Sequence, residues 1–546
     1  MSKVEKILVE LDCGERREIP VLRDNSPLAD LLAAHGLPLN TRCGGRGLCR
    51  GCEVELRGGA LLAHGCAVTA PAIVQACQAR LTRPVSIYLP GRSRIEHRPQ
   101  VSESFEIAVP YAHQPLFTPV PGIGDTGFAV DVGTTTVVLL LVDLVTGEVL
   151  SRTSSFNEQI RFGDNVITRI AVARDFQDLA AMQRAIVMET IQPLLTRACE
   201  LAARSMKRII GGAITGNTTM LHLLTGVDPT PLGIAPFLPR FIHAKRVIAE
   251  DIHLVADCLS PQLPIQLLPG IATYIGADIT SGILASGMAY DSAPSLLVDI
   301  GTNGEIVLQN GGKLTACATA AGPAFEGCGL RCGVRAREGA VSELNLMLHP
   351  FLFAGKTIGQ APLSQANGLC GSAYVDFLAT ARHCRLLTTV GRFDGEAWDI
   401  LPAQSRCSEN GARSLRLTDG DCAGGLRVSE ADVALLLQAK AAIGAGIEIL
   451  LETAGIRAAD LGRVYLAGGF GMYLNVTHAI AIGMLPGLRA EQVRVVGNTA
   501  LAGAFMALVD RNTLEEMESL RAQVRVIELN LTEAFENRYI EHLMLP

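Results

Sequence analysis

The 546-residue chain predicts a multidomain protein: a small α+β domain followed by a large, two-lobed α/β body. Three observations carry that expectation. Four cysteines, Cys43, Cys49, Cys52 and Cys77, gather near the start, three of them spaced C-x5-C-x2-C in a glycine-rich loop. A proline-rich stretch, 91–125, separates them from the rest. Beyond it, Asp-Val-Gly-Thr at 131–134 returns as Asp-Ile-Gly-Thr at 299–302, each between apolar runs, which implies two similar lobes.

Composition agrees. Apolar residues make up 49 % of the chain and aromatics 5 %, a profile of Val-, Leu- and Ala-rich α/β cores rather than of a β-sandwich. No run of about 18 uninterrupted apolar residues occurs, so no membrane span is expected. The N-terminus alternates charged and apolar residues and is no signal peptide, which places the protein in the cytoplasm. There, fifteen cysteines argue for metal rather than disulfides. Outside the cluster, Cys199, Cys258 and Cys384 read as buried small apolar residues. The net charge of −7 gives no reason to expect nucleic acid. Residues 1–93 nevertheless hold 12 Lys and Arg against 9 Asp and Glu, so the cysteine end is basic and the remainder carries −10.

Residues 3–10 alternate like a strand, with 18–21 as a hairpin partner. Stretch 26–35 opens Ser-Pro, spaces its apolar residues by three to four and stops at Gly36, so it predicts a short helix. After the cysteine loop, 52–56 and 85–89 read as strands, and 76–80 carries Cys77. Four thiolates suit two tetrahedral irons, and the glycines free backbone N–H groups to face sulfur. Structural zinc is the competing reading, although zinc ribbons usually carry two C-x2-C pairs. Cys66 competes with Cys77 for the fourth place. The Ala-Cys-Gln setting of Cys77, with a strand after it, resembles plant-type [2Fe–2S] ferredoxins, which have four rather than five residues between the first two cysteines. Arg42, Arg46 and Arg50 rim the loop, either offsetting cluster charge or steering an acidic partner. The prolines of 91–125 read as a semi-extended linker.

In the body, 128–143 and 296–308 each read strand, tight turn, strand. Asp131 matches Asp299, Gly133 matches Gly301, and Thr134 matches Thr302. Amides and hydroxyls of such turns, here Thr134, Thr135, Thr136, Thr302 and Asn303, cradle phosphate oxygens. A carboxylate just before each turn holds Mg²⁺, usually through water. A third element, 464–471, is an apolar strand opening into Gly468-Gly469-Phe470-Gly471. It resembles the adenosine-binding turn of the actin, Hsp70 and sugar-kinase superfamily, where close backbone approach to adenine needs glycine. Segment 209–221 is a strand running into a polar turn at the cleft border. Loop 315–329 carries Glu326, read either as orienting the attacking water or as a helix-start acid. Stretch 429–452 is the clearest helix, with a Ser-x-x-Asp capping box. On it, Lys440 either reaches the nucleotide or snorkels to the surface. His222 reads as a packed helix residue.

The ordered set is the C-x5-C-x2-C and Ala-Cys-Gln cysteines, a linker, Asp-Val-Gly-Thr-Thr-Thr, Thr-Gly-Asn-Thr-Thr-Met, Asp-Ile-Gly-Thr-Asn-Gly-Glu, Ala-Gly-Pro-Ala-Phe-Glu-Gly, Leu-Ala-Gly-Gly-Phe-Gly and Gly-Asn-Thr-Ala-Leu-Ala-Gly-Ala at 497–504. Over nearly the whole chain it resembles the ATP-dependent reductive activators of corrinoid proteins. The resemblance implies a β-grasp plant-type ferredoxin domain over 1–93 and a linker over 94–125. It further implies a middle segment over 126–206 with a role in forming a homodimer, and an actin-like (ribonuclease H-like) ATPase body over 207–546. It implies a [2Fe–2S] cluster on Cys43, Cys49, Cys52 and Cys77, with ATP and Mg²⁺ as the other cofactors. The partners would be a low-potential electron donor and a corrinoid protein returned from cob(II) to cob(I). Some relatives carry C-terminal [4Fe–4S] clusters; this chain has no cysteine after Cys422. A redox-regulated small-molecule kinase, an ATP-dependent activator of another low-potential enzyme and a redox-sensing module that never hydrolyses ATP remain as other readings.

Overall fold

The computed structural model describes residues 4–11, 15–22, 26–39, 41, 45, 47, 51–90, 93–94, 105–348, 351–409, 411–418 and 425–546. In the N-terminal domain Val4–Leu11 pairs antiparallel with Arg16–Leu22 and parallel with Val85–Leu89. Glu53–Gly58 and Ala72–Gln75 complete a mixed five-stranded sheet. The helix Leu28–Ala34 buries Leu28, Ala29 and Leu32 against it, in one core with Ile7, Val9, Val54 and Ile87. Pro27 is the N-cap of that helix rather than its first residue.

The body holds two six-stranded sheets with the same inner plan. In the first, the meander Thr126–Val132, Thr136–Asp143, Val149–Phe156 is extended on its opening strand by the parallel strands Ile209–Gly216 and Pro264–Leu267. In the second, the meander Ser295–Ile300, Gly304–Asn310, Lys313–Thr319 is extended by the parallel strands Arg463–Ala467 and Val493–Gly497. The repeated Asp-x-Gly-Thr thus marks the first turn of two equivalent sheets.

Alternation sorts the second sheet between two cores. Leu297 and Val307 face a core shared with the first sheet and the helices Ala277–Ser286 and Thr499–Val509. Leu296, Val298, Ile306 and Leu308 face another, with Gly371–His383 and Glu430–Ala454. Glu430–Ala454 starts from the expected capping box of Ser429 and Asp432. It is the one described helix long and apolar enough to cross a membrane, and 78 % of its apolar window is buried inside the protein.

Two expected boundaries move. Ile209–Gly216 lies beside Thr126–Val132 along its whole length, so a division at 206/207 would cut through one sheet; the two sheets divide instead between Pro264–Leu267 and Ser295–Ile300. The described end of the expected linker, 105–125, is strapped to the body. Ala108, Gln114 and Leu116 donate their amides to the carbonyls of Ala285, Val509 and Leu508, and Phe117 is buried. Residues 95–104 lie outside the described residues. Cys199 is buried as expected and Cys384 partly so, but Cys258 is exposed, in a turn with φ of 69°.

Candidate functional site

The two hairpin turns face one another across a cleft between the lobes. It is lined by Asp131, Gly133, Thr134, Thr135 and Thr136 from one side, by Asp299, Gly301, Thr302 and Asn303 from the other, and by Gly468, Gly469 and Phe470. Three convergent segments from distant parts of the sequence therefore meet, two of them the hairpins of the repeat.

The first turn is held from behind. The Asn157 side-chain amide donates to the Gly133 carbonyl, its backbone amide donates to the Thr135 carbonyl, each at 2.9 Å, and Arg169 donates to the Thr134 carbonyl. With three successive carbonyls engaged, the turn is left with its hydroxyls facing the cleft. Gly133 is required here, because a Cβ would meet the Thr136 carbonyl oxygen at 2.6 Å. Asn217 follows the strand Ile209–Gly216. It caps the helix Thr218–Leu224 and donates to the Thr134 hydroxyl at 2.9 Å.

Glu326 joins the two turns. Its carboxylate accepts from the Thr135 hydroxyl of the first lobe and from the Thr302 hydroxyl of the second, each at 2.6 Å. It lies in the short turn Pro323–Glu326, at neither a long helix start nor a free loop.

Carboxylates crowd the floor. Asp131, Asp278, Asp299 and Glu305 all line the cleft. Burial pushes Asp131 up to about 6, although the Asn498 amide hydrogen bond at 2.9 Å holds it down. Burial and then the Asp131 charge push Asp299 up to about 7. Burial and the charges of Asp299 and Asp131 push Asp278 up to about 8, and Glu305 is raised by burial and by Asp278 and Asp299. Each carboxylate makes its neighbours costlier to ionise, so the cluster favours a cation. Among the described residues no three such side chains are packed closely enough to grip a bare metal ion.

Two expected contacts change. Lys440 is far from solvent and does not line the cleft. Its helix is buried on nearly every side, and its ammonium donates to the Met544 carbonyl at 2.6 Å, with burial lowering it to about 8. Gly471 does not line the cleft either; its amide closes the turn onto the Gly468 carbonyl. Asp278, Glu305, Arg335 and Asn498 line the cleft without having been singled out. Asn498 had a signal: Gly-Asn-Thr occurs at 216–218 and 497–499, each time where a strand turns into a helix. His222 is packed as expected, between the Thr218 carbonyl and the Arg240 amide.

At the other end of the chain Cys52 and Cys77 are buried neighbours. The Cys52 side chain, opposed by burial, pulls the Cys77 thiol down to about 6. Cys66 is exposed on the strand Cys66–Thr69. Cys43 and Cys49, with Arg42, Arg46 and Arg50, lie outside the described residues.

Comparison with known proteins places these features. The family model for the RACo middle region matches residues 126–291, and that for the C-terminal domain of RACo, the ASKHA domain, matches 293–546, a division where the two sheets separate. The corrinoid activation enzyme RamQ of Eubacterium limosum is 30 % identical, over 96 % of this chain and 97 % of its own. A Co(II) methylated amine-specific corrinoid protein reductase of Methanosarcina barkeri is 24 % identical over 76 % of each chain. The solved structure of a reductive activator for corrinoid, iron-sulfur protein superposes with a TM-score of 0.72 at 27 % identity, covering 99 % of this chain and 98 % of that one. On these matches and on the two-lobed cleft, the chain belongs to the RACo family of corrinoid activation enzymes.

Proposed function

We propose that this protein binds MgATP between its lobes and uses it to drive one-electron reduction of a corrinoid protein, from cob(II) to cob(I). The observation that carries the reading is the convergence of Thr135 and Thr302, one from each lobe, on a single carboxylate in a cleft floored by raised carboxylates. The threonine hydroxyls and turn amides would hold phosphate oxygens. Asp131 and Asp299, assisted by Asp278 and Glu305, would hold Mg²⁺ through water. Gly468, Gly469 and Phe470 would pack against adenosine. Glu326 would orient the attacking water.

The N-terminal sheet and helix fit a β-grasp ferredoxin, and burial of Cys77 beside Cys52, with Cys66 exposed, fits a [2Fe–2S] cluster on Cys43, Cys49, Cys52 and Cys77. Such a group supplies one electron at a time, near −400 mV in plant-type domains, and each 100 mV uphill costs about 2.3 kcal/mol. ATP-linked changes in affinity for the two redox forms of the partner would offset that cost. The first lobe feels the N-terminal domain directly: the Thr41 hydroxyl lies 3.5 Å from the Arg161 carbonyl, four residues beyond Asn157, which holds the phosphate turn. A low-potential donor supplies the electron, and the site of action is the cytoplasm. Exposed Ile167 and Phe176, on consecutive helices of the middle region, are suited to a homodimer contact.

ATP hydrolysis by the purified protein, with and without a cob(II) corrinoid protein, tests the reading. Hydrolysis that rises with the corrinoid protein is expected. Phosphorylation of a sugar-like acceptor, or no hydrolysis under any condition, would overturn it.

A further inference from the structure

We propose that Arg335 is the residue that grips the terminal phosphoryl group of the nucleotide and brings positive charge to it during hydrolysis. The proposal rests on the ATP reading above and goes beyond it, because neither the repeat nor the hairpins identify any cationic side chain in the site.

Among the described residues five carboxylates line the cleft, Asp131, Asp278, Asp299, Glu305 and Glu326, against one basic side chain, Arg335. A divalent ion answers the carboxylates of the floor. It does not answer the far wall, where Glu326 and the two threonines stand. Arg335 is at that wall. Its Nε lies 3.7 Å from the Glu326 carboxylate, an ion pair but too long for a hydrogen bond. Its Nε and Nη2 are buried and have no hydrogen-bond partner among the described residues. Leaving two guanidinium N–H groups buried and unsatisfied is costly. A planar fork in that condition matches two oxygens of one anion, and a phosphoryl group supplies them.

The other arginine nearby is already committed. Arg169 donates to the carbonyls of Gly163 and Thr134 and to Gln159. Burial and then the charge of Arg335 lower it to about 9. Arg169 shapes the turn from behind; Arg335 is the one free to reach what the turn holds.

Arg335 also spans the lobes. It belongs to the second lobe, in the segment before the strand Ala340–Leu348, and its guanidinium stacks over Phe156 of the first lobe at 5.4 Å. It is therefore in register with the terminal phosphate only when the lobes are together. In hydrolysis, the water oxygen bonds to the γ-phosphorus, and the bond from that phosphorus to the β–γ bridging oxygen breaks. Its electron pair leaves on ADP, and the water's proton leaves with the product phosphate or passes to solvent. Arg335 stabilises charge on the γ oxygens through that step.

The test uses the full-length holo protein, its Arg335→Gln and Arg335→Lys variants, and three readouts: calorimetric binding of MgADP, binding of the β,γ-imido analogue of ATP with Mg²⁺, and steady-state hydrolysis. Arg335→Gln is expected to weaken the imido analogue about 10-fold or more with ADP binding changed less than about 3-fold, and to lower kcat by roughly 100- to 1,000-fold, the range for loss of one charge-stabilising donor. Guanidinium ion at low millimolar concentration should restore part of the lost rate in Arg335→Gln and none in the wild type. Arg335→Lys keeps the charge, so it should bind the analogue better than Arg335→Gln while remaining slow. Equal weakening of ADP and analogue, or an unchanged kcat, would overturn the assignment and leave Arg335 a lobe tether. Should Arg335→Gln not fold, the analogue-to-ADP ratio and kcat of Arg335→Lys decide by the same criteria. A wild type that binds neither nucleotide sinks the ATP reading itself, and this assignment with it. A wild type that binds and hydrolyses while Arg335→Gln matches it sinks only the assignment.

Discussion

Asp131 is oriented by a residue 367 positions away, Asn498, which also caps the helix Thr499–Val509. Replacing Asn498 by Ala removes both bonds at once. Loss of the cap costs about 1 kcal/mol of stability. The unheld Asp131 should lower kcat for ATP hydrolysis by roughly 10-fold or more, with a smaller change in KM, which steady-state kinetics and a thermal melt would separate. His222 gives a pH test far from the cleft. Burial holds its imidazole down at about 4, against a usual value near 6.5. The folded state then binds fewer protons than the unfolded one between those values. Its contribution is complete above about 6.5 and is lost as pH falls through about 4, by a total on the order of 3 kcal/mol. His222→Asn should flatten that part of the stability-versus-pH curve, read by denaturant titration at several pH values. Asp131 and Asp299 were legible because the repeat marks them. Asp278 and Arg335 were not, because they lie outside the repeated motif, and Glu305 was not, because its counterpart in the first hairpin is the apolar Val137. Lys440 was misjudged because sequence gives the stripe of a helix but not which stripe is open.

Among elements, the glycine turn after Arg463–Ala467 tolerates little change. Gly468 has φ of 92°, and a Cβ there would meet an Asp299 carboxylate oxygen and the Ile300 carbonyl oxygen, each at 2.6 Å. Gly468→Ala should cost about 2 kcal/mol or more, from left-handed backbone strain plus crowding. It should also weaken MgATP binding, because the displaced Asp299 belongs to the second hairpin; calorimetry on the folded fraction measures this. The hairpins and the helix Glu430–Ala454 were readable because their signals are local: a turn between apolar runs, and a capping box before a long apolar stretch. Segment 105–125 was not. Its prolines mark an irregular backbone but do not reveal that the carbonyls of Ala285, Leu508 and Val509 receive it.

For the whole molecule, the repeat foretold two lobes, whereas the division at 206/207 implied by the resemblance cuts through the first sheet. Ile209–Gly216 is about eighty residues from the strand it adjoins, a parallel pairing that no local pattern records. The same scale sets the relation between the cysteine domain and the body. Cys77→Ser should abolish the visible absorbance of a [2Fe–2S] cluster and Cys66→Ser should leave it intact; the reverse would reassign the fourth ligand. The central claim is that occupancy of the two-lobed cleft by nucleotide drives an electron onto a corrinoid. Its most direct measurement is anaerobic absorption of a cob(II) corrinoid protein mixed with this protein and a low-potential reductant, before and after MgATP. The account expects the cob(II) band to persist until ATP is added and then to give way to the cob(I) spectrum. A cob(II) band unchanged by ATP across the candidate corrinoid proteins, or one lost equally well without it, would contradict the account.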